Sequence, residues 1–187
     1  MTDDVAPPLG GPLELVEYDR TWPGKFAAFR ADLATALGPA ALRIEHVGST
    51  AVPGLVAKNV IDIMIVVPNE ADQRSYAPAV ESTGLVLAHR DPAQSWSYFR
   101  PPAPPRNRHI HVTSRGSDME RMLLLFVDYL RDHPVVAASY GALKQRLAAR
   151  HTDDRSAYTE EKAVFVNDVL RRADEWAEEV GWDRDHR

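Results

Sequence analysis

The run Val60–Val67, VIDIMIVV, is apolar at every position but one, and it restricts the fold more than any other part of the chain. A strand wetted on one face alternates apolar and polar residues, whereas a strand without alternation is covered on both faces and belongs to a sheet with helices packed above and below. The run therefore predicts an α/β (α+β) domain built on a mixed sheet flanked by helices. Its exception is Asp62. An unpaired carboxylate is costly to bury, so Asp62 is expected at the end of the strand, facing a site.

The rest of the chain reads outward from that strand. Residues 1–12 hold prolines and glycines with little apolar bulk and are expected to be a flexible tail. Leu13–Tyr18 is expected as a short edge strand. Pro23 suits a first helical turn, and Phe26, Phe29, Leu33 and Leu37 recur at helical spacing until Gly38 and Pro39. Ala41–Val47 reads as a strand, joined to Val60–Val67 through a turn-rich link containing Gly48, Pro53 and Gly54. A helix is expected over Glu70–Ser82, with Pro78 as a kink or early stop. Leu85–His89, Ser95–Arg100 and His109–Thr113 read as strands, the last two as an antiparallel hairpin across the Pro-rich loop Pro101–Pro105. Ser117 and Glu120 have capping-box spacing ahead of an apolar stripe, Met119, Met122, Leu123, Phe126 and Leu130. Further helices are expected over Pro134–Arg150 and from about Thr159 to Val180. A single domain over 13–180 with C-terminal helices follows, leaving 181–187 as a tail.

With no cysteine, neither a disulfide framework nor a thiolate zinc site is available. The formal net charge of −5 disfavours a dedicated duplex nucleic-acid binder. No apolar run reaches the roughly 18–20 residues of a membrane span, and Met1–Pro12 lacks the basic-then-apolar order of a signal peptide. No membrane association is expected, and a cytoplasmic location is.

The chemistry-bearing residues fall in three groups. Gly48-Ser49, followed by Asp62, is the order in which a turn offers N–H groups and a hydroxyl to phosphate while a carboxylate holds a divalent metal. An ordinary connecting turn is the competing reading. Two carboxylates at i and i+2 would clamp Mg²⁺, but Met64 occupies the second position, and a thioether is a poor ligand for a hard cation. His109 and His111, also i and i+2, share a strand face. If their strand lies beside that of Asp62, the imidazoles replace the missing acid and favour Zn²⁺ or Mn²⁺ over Mg²⁺; solvated histidines are the alternative. His46 is a weaker third member. Among the basic residues Arg43, Lys58, Arg100, Lys144 and Lys162, a surface role is the default, and Lys58, just ahead of the Asp62 strand, is the one placed to meet a phosphate. Tyr158 and Lys162 lie on one helical face.

The segment RIEHVGSTAVPGLVAKNVIDIMIVV, followed by RHIHV, LLFVDYLRDHP and YTEEKAVFV, closely resembles the GrpB family from about Leu13 to about Arg172. The resemblance implies a fold of the nucleotidyltransferase superfamily, and relatives fused behind dephospho-CoA kinase, where the domain looks like a folding accessory. Gly48-Ser49 and the first acid of the superfamily's D-x-D pattern, Asp62, carry over. The second acid does not, since Met64 stands there, and the lysine usually followed by proline is here Lys58-Asn59.

Two functions are expected from these readings. In one, the chain binds an NTP and a divalent metal (Mg, Mn or Zn) and transfers a nucleotidyl group to a small acceptor. Its catalytic residues are Asp62, Ser49 and Lys58; its substrate-binding residues are Gly48, Ser49, Arg43, Lys58, Tyr158 and Lys162; its metal ligands are Asp62, His109 and His111. The partner is then a nucleotide or phosphorylated metabolite. In the other, the chain is a non-catalytic accessory domain that docks a protein through an exposed apolar patch. No GxxxxGK[ST] spacing is present, which argues against kinase activity in the chain itself.

Overall fold

A computed structural model describes residues 13–185. Its order is α1 (Trp22–Leu37), β1 (Arg43–Val47), β2 (Ile61–Val67), α2 (Ala77–Ser82), β3 (Val86–Asp91), β4 (Trp96–Arg100), β5 (Arg108–Ser114), α3 (Asp118–Asp132), α4 (Pro134–Arg150) and α5 (Arg155–Val180). The five strands form one mixed sheet in the order β1-β2-β5-β4-β3. Only the central pair, β2 and β5, is parallel.

Strand β2 is covered on both faces, and its residues sort by parity. Ile61, Ile63, Ile65 and Val67 pack with Trp22, Leu33, Tyr76 and Val80 of the α1–α2 side. Met64 and Val66 pack with Leu124, Val127, Leu130, Tyr140 and Val169 of α3, α4 and α5. The sheet is thus the middle of three layers. Asp62 shares the face of Met64, but lies where β2 begins, beyond the densest part of the α3–α5 cover.

Several boundaries differ from the expectations. Leu13–Tyr18 forms one bridge rather than a strand: Val16 and Ala57 exchange backbone hydrogen bonds of 2.8 and 3.0 Å. The Val60 N–H then bonds to the Lys58 carbonyl at 2.7 Å, which turns the chain away before a second rung. The helix expected over Glu70–Ser82 is confined to Ala77–Ser82, after a short 3₁₀ turn at Gln73–Ser75. Pro78 stands in its first turn, the place where a missing N–H costs nothing. Glu70 is buried instead and receives hydrogen bonds from Ser97, Tyr76 and Arg90. Helix α5 starts at Arg155, ahead of Thr159, because the Asp154 carboxylate caps it by accepting from the Ala157 N–H at 2.9 Å.

The capping box at the start of α3 is present, with Ser117 Oγ accepting from the Glu120 N–H and Glu120 accepting from the Gly116 N–H. Past α5 the chain folds back: the Trp182 indole donates to Asp128 at 3.0 Å and Arg184 to Glu120 at 3.4 Å. Of the two expected tails, 1–12 lies outside the described residues, and 181–185 is tied to α3 through Trp182 and Arg184 while Gly181, Asp183 and Asp185 are exposed. No helix among the described residues is long and apolar enough to cross a membrane.

Candidate ligand-binding site

The parallel pairing of β2 with β5 places Asp62 opposite His109 and Met64 opposite His111. Strand β4 sets Tyr98 opposite His111, so by strand alternation Trp96 and Tyr98 stand on the same face. Both imidazoles reach one carboxylate oxygen: His109 Nδ1 is 3.3 Å and His111 Nε2 is 3.5 Å from Asp62 Oδ1. Burial pushes the Asp62 carboxyl up, and the hydrogen bonds from His109 and His111 outweigh it, holding the group well below the ordinary carboxylate range.

On the other side of Asp62, Gly48 has φ 69° and ψ −170°, and a Cβ built on it would fall 2.5 Å from Asp62 Oδ2. Glycine is required here by both backbone conformation and space. The turn continues into Ser49, whose hydroxyl accepts a 2.9 Å hydrogen bond from the Lys144 ammonium. Lys144 is buried and also donates to the Val56 carbonyl. It belongs to the inward stripe of α4 with Ala137, Tyr140 and Leu147, and the neighbouring Gly141 lets α4 lie close against Leu55 and Val56.

These groups line a chamber of about 300 Å³ together with Lys58, Tyr158, Lys162, Tyr140, Trp96 and Tyr98. Three lysines enter it and one carboxylate faces them. Tyr158 lies between two ammonium groups, Lys58 at 5.1 Å and Lys162 at 5.5 Å from its ring centroid, while Lys144 is 4.6 Å from that of Tyr140. Burial, then repulsion from Lys162, brings the Lys144 ammonium down to about 7; the same two causes bring Lys58 to about 8. Burial also lowers Lys162.

Of the residues selected from sequence, the fold brings together Ser49, Lys58, Asp62, His109, His111, Tyr158 and Lys162 around this chamber, with Gly48 behind Asp62. Arg43 is not among them. It opens β1, and because β1 runs antiparallel to β2 it pairs with Val66, at the far end of the strand from Asp62. There it donates to the Arg184 carbonyl at 2.6 Å and to Asp185 at 2.9 Å. His46 is also elsewhere, stacked 4.8 Å from Phe26, and burial lowers it to about 4. The sequence argues for Lys144 only as a surface residue, puts Tyr140 on the apolar side of its helix, and assigns no site role to Trp96, Tyr98 or Tyr140. The spacing Tyr140, Lys144, Leu147, which puts a lysine on an apolar stripe, was the available signal.

The expected metal set does not find its donors in this arrangement. The Trp96 indole N–H donates to His111 Nδ1 at 3.2 Å, so the proton of the neutral His111 ring sits on Nε2 and points at Asp62. An indole is only a donor, and a metal-binding Nε2 has no proton, so His111 as held by Trp96 is a hydrogen-bond donor rather than a ligand. Asp62 and His109 remain, and Met64 is wholly buried. Among the described residues no three His, Asp or Glu side chains are arranged to hold a metal ion.

The mixed sheet that carries the Gly-Ser turn and Asp62 to one chamber is nucleotidyltransferase-like in fold, as its likeness to a solved polymerase shows. The Cid1 poly(U) polymerase, solved with MgGTP bound, shares that fold: TM-score 0.50, 11% identity, covering 72% of this chain and 44% of the polymerase. The chain belongs to the GrpB family, whose family model, GrpB protein, matches residues 12–172. A solved GrpB from Enterococcus faecalis superposes with TM-score 0.78 at 29% identity, covering 86% of this chain and 96% of that one. A UPF0157 protein of Halalkalibacterium halodurans is 37% identical over 168 residues, 89% of this chain and 85% of the relative. A dephospho-CoA kinase of Mycolicibacterium paratuberculosis is 33% identical over 196 residues, 91% of this chain but only 48% of the kinase.

Proposed function

We propose that the chamber binds the polyphosphate of a nucleoside triphosphate, or of a similarly charged metabolite, and that the reaction it serves is nucleotidyl transfer to a small acceptor, in the cytoplasm. The observation that carries this reading is the convergence of Lys58, Lys144 and Lys162 on a space containing one carboxylate. Each ammonium is disfavoured by burial, and Lys58 and Lys144 also by a neighbouring lysine. A polyanion removes that repulsion and is itself stabilised where water is scarce. Ser49 and Lys144 sit at the foot of the turn for a phosphate oxygen to join, and Trp96 and Tyr98 offer ring faces to a base. The ammonium groups supply, at fixed positions, the charge compensation that carboxylate-bound metal ions give in transferases with two acids.

Calorimetry of the chain against nucleoside tri-, di- and monophosphates and pyrophosphate, each with and without Mg²⁺, Mn²⁺ and Zn²⁺, tests the proposal. Affinity should rise with phosphate number and persist in a chelator. Lys58→Met and Lys162→Met should each weaken triphosphate binding on the order of tenfold, about 1.4 kcal/mol. Equal affinity in the double variant, or no binding by the wild type, overturns the reading.

A second reading, a non-catalytic accessory domain beside a dephospho-CoA kinase, draws on Met64 at the second acid position and on the half-length match to the mycobacterial kinase. It calls for an apolar docking patch. Of the exposed large apolar residues, Val135 lies at the start of α4, and Val164 and Val180 are far apart on α5. Pyrophosphate release that requires Asp62 favours the first reading; its absence, with capture of a kinase domain by this chain, favours the second.

A further inference from the structure

A second cavity of about 290 Å³ shares four residues with the cationic chamber: Asp62, His111, Tyr140 and Lys162. Its remaining walls are almost wholly apolar. Met122, Leu123 and Phe126 come from one face of α3, and Ala163, Val166 and Leu170 from α5. The adjoining positions of α3 are closed: Leu124, Leu125, Val127 and Leu130 are buried with Val169, Ala173 and Ala177 of α5. On the face of α3 that carries Met122, Leu123 and Phe126 the cover is incomplete, and these three are only half-buried. Protein interiors close such gaps at crystal-like density. This one lies directly behind the acid of the site.

We propose that this cavity is the acceptor subsite, and that it takes a small alcohol with an apolar body, aliphatic or aromatic. At about 30 Å³ for each water-sized group there is room for about ten non-hydrogen atoms. The four shared residues form a doorway between the cavities. In it Asp62 accepts and Lys162 donates, which a hydroxyl matches as donor and acceptor at once. A carboxylate would oppose Asp62, and an ammonium would add a fourth cation beside Lys58, Lys144 and Lys162. Asp62 Oδ1 is turned to the two imidazoles and Oδ2 to Gly48, a wall residue of the apolar cavity.

The inference rests on the nucleotidyl-transfer reading for its chemistry. The alcohol oxygen bonds to the α-phosphorus while the bond from that phosphorus to pyrophosphate breaks. Pyrophosphate leaves with the electron pair into the lysine cluster, and the hydroxyl proton passes to Asp62 Oδ2.

The two readings separate in one experiment. A panel of alcohols, amines and carboxylic acids of up to about ten heavy atoms is screened by ligand-observed NMR against the wild-type chain, with and without a non-hydrolysable triphosphate. Apolar alcohols should bind and give intermolecular NOEs to the Met122 methyl and the Phe126 ring. Leu123→Trp, which fills the cavity from α3 at a position that does not line the cationic chamber, should weaken them at least tenfold while triphosphate affinity stays within twofold. Lys58→Met should do the reverse. Triphosphate binding with no alcohol bound, or with NOEs only to residues outside the cavity, overturns the subsite and leaves the phosphate site standing. Alcohol binding at Met122 and Phe126 with no triphosphate affinity supports the subsite and overturns the transfer reading. Binding of neither overturns both. If Leu123→Trp fails to fold, the wild-type NOEs decide alone.

Discussion

Substituting Gly48 by alanine tests the local architecture of the site most directly. At φ 69° and ψ −170° the backbone lies in a region essentially reserved for glycine, and another residue there costs about 1–3 kcal/mol. The new Cβ would also lie 2.5, 2.9 and 3.0 Å from Asp62 Oδ2, Cβ and Cγ. Relieving that overlap moves the carboxylate by about 1 Å and breaks its contacts with His109 and His111, which already stand at 3.3 and 3.5 Å. Charge-assisted hydrogen bonds contribute about 1.5–3 kcal/mol each, and these are long, so the pair is counted once. The expected destabilisation is about 3–5 kcal/mol, roughly 10 °C or more in midpoint for a chain of this size. Urea unfolding of Gly48→Ala, Asp62→Gly and the double variant measures it. Asp62→Gly removes all three overlapping atoms, so in its background Gly48→Ala should cost only the backbone share, leaving a coupling of about 2 kcal/mol. Additivity to within about 0.5 kcal/mol would refute the proposed dependence of the turn on the acid.

Three further outcomes are expected. Because Lys58 and Lys144 are lowered to about 8 and about 7 from a usual 10.5, the unfolded chain binds more protons than the native chain above pH 7; stability should therefore rise with pH from about 7 toward 10, as urea midpoints across that range would show. A bound polyphosphate raises the same two groups, so binding near pH 8 should take up protons and weaken as pH rises; calorimetry in buffers of different ionisation enthalpy measures the uptake, and a value of zero contradicts it. Trp96→Phe deletes the donor to His111 Nδ1 and frees Nε2, so the variant should bind Zn²⁺ at least about tenfold more tightly than the wild type. Equal Zn²⁺ affinity would show that the indole does not set the tautomer.

The strand VIDIMIVV announced both the covered sheet and the acid at its edge, because a missing alternation and a lone carboxylate are local facts. The pair His109 and His111 was legible as one face for the same reason. What a strand faces across the sheet is not local. Neither the parallel β2–β5 neighbourhood nor the antiparallel run of β1 is written in either segment, so the imidazoles were placed only conditionally and Arg43 at the wrong end. Lys144 was obscured by residue type, since lysines are seldom buried, although its place on the Tyr140–Leu147 stripe marked it. Glu70 was read as a polar helix residue because its partners, Tyr76, Ser97 and Arg90, come from three later segments.

The central seam between β2 and β5 joins stretches of chain with two other strands and a helix between them in sequence. Asp62 meets His109 only after that whole intervening portion has been synthesised and laid down, so a nascent chain stalled before residue 108 carries the acid and the turn without the imidazoles. On the proposed reading, affinity for a polyphosphate waits further for α4 and α5, which bring Lys144 and Lys162. Added during refolding, a ligand should accumulate in the native population without accelerating the steps that build it.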